Sequence, residues 1–181
     1  TAPAAPLAMT DLPPPARWSG LRRFLIGRSL TRTLVRIGVL VLAVTITYRF
    51  FLLPFVVSGD SMLPTLLDGT VHLAYRRAYR GHPPERGDIV LINIAGGRQI
   101  LVKRIIGLPG DRFSIREGEV LINGESLAEP YIHHPNRSWN LPEIILRPEE
   151  YFFIGDNRSM DMASHTADTV RGERIMGRVI F

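Results

Sequence analysis

The segment Gln99-Ile-Leu-Val-Lys-Arg-Ile-Ile-Gly-Leu-Pro-Gly-Asp111 runs through six aliphatic residues and stops at a Pro109-Gly110 turn. Four of the six are β-branched, and the run is too short for a core helix, so it reads as a strand over Gln99–Gly107. Strand alternation puts Leu101, Lys103, Ile105 and Gly107 on one face and Val102, Arg104 and Ile106 on the other. A lysine on an apolar face costs free energy unless it is deprotonated or paired. To serve as a base near neutral pH its pKa must fall from about 10.4 by roughly 3 units, about 4 kcal/mol. The plain alternative is an edge-strand lysine snorkelling to water. Of 22 basic residues, Lys103 is the one that is not arginine. Arginine stays protonated in proteins, so a lone lysine in an arginine-biased chain suggests a task that needs a removable proton.

Further short runs flank this strand: Asp88–Ile94, Arg112–Arg116, Glu119–Ile122, Glu143–Leu146, Tyr151–Gly155 and Arg174–Phe181. Ala95-Gly96-Gly97, Glu117-Gly118 and Asn123-Gly124 supply turns between them. No helical period of 12 residues and no repeat appears after residue 58. The expected fold is an all-β domain, a partly open barrel or sandwich.

Upstream the character changes. Ile37–Val57 is apolar apart from Arg49, and the stretch from Thr33 to Leu53 is long enough for a transmembrane helix of about 20 residues. Arg36 and Arg49 fall near its ends, where long side chains reach the interface. No Ala-x-Ala-like site ends the run, which speaks against a cleaved leader. Six of the 22 basic and one of the 17 acidic residues lie in residues 1–36, leaving 16 of each for the rest. The net charge of +5 therefore belongs to the N-terminal segment, and a neutral main domain argues against nucleic acid as a partner. By the positive-inside rule the N-terminus is cytoplasmic. The expected organisation is an Ala/Pro- and Arg-rich tail over 1–32, a membrane helix over 33–53 and an extracytoplasmic β domain over 54–181. With no Cys, disulfides and thiolate metal sites are excluded.

Two more stretches bear chemistry. Ser58-Gly-Asp-Ser-Met-Leu-Pro-Thr-Leu66 follows the apolar segment and places Ser61 in a tight loop able to aim a backbone N–H at an oxyanion. Tyr151-Phe-Phe-Ile-Gly-Asp-Asn-Arg158 is a hydrophobic strand running into polar residues, in isolation an Asx-type turn. A Ser-His-Asp arrangement using one of the five histidines stays open, although none lies in a motif. His133-His134 lacks the partners of a metal site, and neither metal nor cofactor is expected.

Together the three stretches resemble the type I signal peptidase family. Ser61-Met62-Leu63-Pro64-Thr65 matches its nucleophile motif, Lys103 to Asp111 its general-base motif, and Gly155-Asp156-Asn157-Arg158 its third signature. The resemblance covers roughly residue 35 to the C-terminus. It implies a Ser61/Lys103 dyad peptidase of the bacterial inner membrane that cleaves signal peptides from preproteins. Membrane lipid and, indirectly, the Sec-type export machinery would be its surroundings. Met62, Pro64, Arg104 and Gly155–Arg158 would be structural members of the motifs. Asp60, Leu101 and Val102 would line the substrate cleft, where an extended segment adds to a strand edge.

The chain departs from the family after Arg158. Counting without gaps, Asp161 stands where relatives have the Ser that orients the Lys amine, Ala163 where they have Asp, and His165 where they have Arg. A carboxylate facing Lys103 would raise its pKa and oppose catalysis, whereas a shifted turn would present Ser159 or Ser164. Gly59 holds the place of the side-chain oxyanion donor of some relatives, with Ser58 one residue before it. Alternatives are a specialised relative such as a pilin-processing peptidase of conjugation, or a catalytically silent, membrane-tethered interaction module. Self-cleaving repressor peptidases share Ser/Lys chemistry but lack the span and the third signature.

Overall fold

The computed structural model describes residues 30–180. Most of the expected tail, including Arg17, Arg22, Arg23 and Arg28, and the terminal Phe181 lie outside them. Helix α1 runs from Leu30 to Phe50, 21 residues with no buried side chain, and is long and apolar enough to cross a membrane. It starts three residues before the expected span and ends three residues sooner. The reason for the earlier end lies downstream, where the Arg76 N–H donates to the Phe51 carbonyl at 2.8 Å and the chain turns into a strand. Pro54 sits inside that strand, on an outer edge, where its missing N–H breaks no ladder.

Residues 46–181 form the second unit. Its strands are β1 (Leu52–Val56), β2 (Val71–Tyr75), β3 (Ile89–Ile94), β4 (Gln99–Gly107), β5 (Arg112–Arg116), β6 (Glu119–Ile122), β7 (Glu125–Ser126), β8 (Leu141–Ile145), β9 (Glu150–Ile154), β10 (Asp168–Arg171) and β11 (Ile175–Ile180). They make two antiparallel sheets, in order β1-β2-β11-β3-β4-β9-β10 and β7-β6-β5-β8. Both sheets are open, so the all-β expectation holds without a closed barrel. The β5–β6 and β6–β7 hairpins turn on Glu117-Gly118 and Asn123-Gly124, with positive φ at both residues of each pair, as tight hairpins require.

The two sheets meet over Ile106, Phe113, Ile115, Val120, Trp139, Leu146, Phe152 and Ile154, all buried. The Phe113 and Phe152 rings stack at 3.9 Å between centroids. Gly107 ends β4 here because a Cβ would lie 2.4 Å from Leu146 Cδ1. A second cluster, Val90, Ile92, Ile105, Tyr151, Phe153 and Val170, covers the middle of the larger sheet. A third consists of Val57, Met62, Leu66, Ile89 and Val179. This last cluster matters for the site. Met62 and Leu66, fully buried, stabilise the loop after β1 by about 1.5–3 kcal/mol each and so hold down its neighbour Ser61.

Candidate active site

The loop from Ser58 to Thr70 is pinned at both ends. Val57 N–H donates to the Thr70 carbonyl and Gly69 N–H to the Val57 carbonyl, both at 2.9 Å. Inside it, Leu63 N–H reaches the Asp60 carbonyl and Leu66 N–H the Met62 carbonyl. The turn after β9 grips the same loop from outside. Asn157 N–H donates to the Ser61 carbonyl at 3.0 Å, and the Asn157 side-chain amide donates to the Asp60 carbonyl at 3.0 Å. The backbones approach so closely that a Cβ on Gly155 would sit 2.1 Å from the Ser61 carbonyl oxygen. Only glycine fits there, which explains the first residue of the Gly155–Arg158 signature.

Ser61 and Lys103 open into one narrow cleft of about 110 Å³, together with Ser58, Leu101 and Val102. Phe55, Val56, Leu91 and Ile100 complete its walls. Lys103 lies opposite Val90 on β3 and is 3 % exposed. Among the described residues no carboxylate forms an ion pair with it. Burial lowers its ammonium pKa to about 8, against an upward pull from Asp156.

Asp156 is kept from doing more. Its side chain is fully buried and accepts from Arg104 Nε at 2.8 Å, from Arg104 Nη2 at 2.6 Å and from Thr65 Oγ1 at 2.5 Å. Arg104 also donates to the Gly87 carbonyl and lies 3.9 Å over the Tyr131 ring. A paired, hydrogen-bonded carboxylate of this kind is a structural ion, and its charge is largely answered by the guanidinium. Arg158 is likewise buried, forked onto Glu129 at 2.6 and 3.0 Å.

The other expected site residues are placed as follows. The Gly59 N–H is taken by the Asp68 carboxylate at 2.7 Å. Asp60 is exposed and Met62 is core. Pro64 is exposed and follows a cis peptide bond. Asp161 and Ser164 are both exposed at either end of a short 3-10 turn, and the carboxylate acting on Lys103 is Asp156. The Ser159 hydroxyl is spent on the Asn157 side chain at 2.6 Å.

His165 is a member of the site that no motif marks. It is buried, 5.1 Å from Trp139 by ring centroid, and its Nε2 accepts the Gly155 N–H at 2.9 Å. That bond uses the lone pair a base would need. Burial, then the charges of Lys103 and Arg158, push its pKa down to about 4, so the ring is neutral. Glu129 and Tyr131, which brace Arg158 and Arg104, were equally silent in the sequence, because their partners come from distant loops.

The family model described as "Signal peptidase, peptidase S26" matches residues 30–181. The chain belongs to that family. The "Probable signal peptidase I-1" of Synechocystis sp. is 34% identical over 149 residues, covering 77% of this chain and 76% of the relative. "Signal peptidase I" of Bacillus licheniformis is 34% identical over 140 residues, covering 72% and 75%. A crystal structure of a signal peptidase I from Enterococcus faecalis superposes with a TM-score of 0.43 and 27% identity, over 52% of this chain and 95% of that one. As a signal peptidase family member the chain is a serine endopeptidase.

Proposed function

We propose that this signal peptidase cuts signal peptides from preproteins with Ser61 as nucleophile and Lys103 as general base. The observation that carries the assignment is the shared cleft: Ser61 and a buried, ion-pair-free Lys103 open into the same apolar space. Neutral Lys103 Nζ takes the proton of Ser61 Oγ as that oxygen attacks the scissile carbonyl. The tetrahedral oxyanion is met by the Ser61 N–H and the Ser58 hydroxyl, which lies on the same cleft. The Lys103 ammonium then gives its proton to the leaving amine, and water attacks the acyl-Ser61 ester through the same base. The signal-side segment lies extended between β1 and β4, where Leu101 and Val102 line shallow walls.

Helix α1 would anchor the enzyme in a bacterial cytoplasmic membrane, with residues before it cytoplasmic and the β unit outside, on preproteins of the Sec type. The test is cleavage of a preprotein by the full chain in detergent. Ser61→Ala and Lys103→Arg should each abolish it, since Arg cannot accept the proton at any working pH. Unchanged cleavage by Lys103→Arg would sink the assignment of the base.

A further inference from the structure

The Ser58–Thr70 loop borders one hollow at Thr65 and two that lie nearer Ser61 in sequence. One of those two is the cleft already described. The other, larger at about 450 Å³, begins two residues further along and is lined by Leu63, Pro64, His133, His134, Asn157 and Ser159. The bond from the Asn157 N–H to the Ser61 carbonyl links the lining of the second hollow to that of the first.

The second hollow is built from a loop that has no strand of its own. Residues 127–140 are clamped onto the turn after β9 at several points. Glu129 takes both guanidinium nitrogens of Arg158, and the Tyr131 hydroxyl donates to Glu129 at 2.7 Å. Asn136 N–H donates to the Arg158 carbonyl at 3.1 Å, and Trp139 Nε1–H to the Met160 carbonyl at 2.8 Å. A buried ion pair next to a buried indole is an expensive way to hold a surface loop, and it sets His133 and His134 at a defined place facing Asn157 and Ser159.

We propose that this hollow receives the first residues of the mature chain, those after the scissile bond, and that its imidazole rim favours an acidic side chain among them. The proposal rests on Ser61 as the nucleophile. With the signal-side segment in the narrow cleft, the polypeptide past the scissile carbonyl leaves on the other side of Ser61, and this hollow begins there at Leu63 and Pro64. Leu63 and Pro64 give an apolar floor. His133 and His134 are exposed and can each donate an N–H, whether neutral or charged. The acid of the lining, Asp156, is fully buried and tied to Arg104 and Thr65, and the guanidinium of Arg158 is tied to Glu129. The open part of the hollow therefore offers donors without an opposing carboxylate, which suits a Glu or Asp of the substrate.

The test uses the full chain in detergent and peptides that share one signal-side sequence. One carries Glu as the second mature residue, one carries Gln there, and one carries that Glu five residues before the scissile bond instead. The wild-type enzyme should cleave the first over the second with a kcat/KM ratio of about five to ten. His133→Ala/His134→Ala, a surface change, should bring the ratio to about one. A wild-type ratio of one, a ratio kept by the double variant, or a preference that follows Glu to the signal side overturns the proposal. Binding of the same peptides to Ser61→Ala protein separates it from the catalytic assignment. If wild type cleaves nothing while Ser61→Ala still binds the Glu peptide more tightly, the hollow stands and the Ser61 mechanism falls; equal binding overturns the hollow.

Discussion

Lys103 is an amine held at 3 % exposure without a counter-ion, and its pKa of about 8 against an ordinary 10.5 is the energetic record of that. Between those two values the unfolded chain binds the proton that the folded chain has released, so stability rises with pH across the window and is lost as pH falls toward 8. The full difference is about 3 kcal/mol. Lys103→Met, which keeps the stem and removes the charge, should therefore be the more stable protein at pH 6 by about 3 kcal/mol. Its advantage should shrink as pH climbs from 8 to 10.5. Denaturant unfolding of the full chain in detergent, followed by tryptophan fluorescence, measures it, and a pH-independent difference would refute a depressed Lys103. With Lys103 as the proposed base, the same ionisation should set the acid limb of kcat/KM for wild type near pH 8. His165, neutral down to about pH 4, adds no step in that range.

The turn that follows β9 is the element that ties the surroundings of this amine to the Ser61 loop. Gly155 packs on Ser61, Asn157 holds the Ser61 loop by two bonds, and Asp156 supplies a charge that Arg104 answers. Asp156→Asn removes the one carboxylate that pulls Lys103 upward, so the acid limb should move below that of wild type. It also leaves the buried Arg104 without its partner, at a cost of about 3 kcal/mol or more. Arg104→Met/Asp156→Asn should recover most of that stability and keep the lowered limb, since apolar replacement of a buried pair is often close to neutral. A limb that stays put in both variants, read from pH profiles of preprotein cleavage, refutes the electrostatic link. Elements of this kind were only partly legible in the sequence. β3 to β6, β9 and β11 announce themselves by apolar runs bounded by Gly turns. β1 does not, because Leu52–Val56 continues the apolar character of α1 and only its pairing with β2 tells strand from helix. β10, four residues with one buried side chain, is too short to show a period. Ser61 and Lys103 stand out by motif. The identity of the carboxylate near Lys103 did not, since linear counting points to Asp161 whereas the tertiary ladder brings Asp156.

At the scale of the whole molecule the distribution of charge does the sorting. The basic excess lies before α1 and in its first two turns, the helix presents no buried face, and the β unit beyond it is close to neutral. An arginine-rich flank resists transfer across a bilayer, while a neutral domain translocates regardless of such a bias. The chain should thus sit with its first residues in the cytoplasm and the Ser61 cleft outside. The absence of Cys makes this directly readable, because a single introduced thiol has no background. Ser126→Cys, exposed in β7, should react with a membrane-impermeant maleimide in cells whose outer barrier alone is opened. Ala4→Cys should react only after lysis. The reverse pattern would invert the topology and place the cleft on the side where preproteins have not yet crossed. A Ser61/Lys103 peptidase acting on exported chains could not work there.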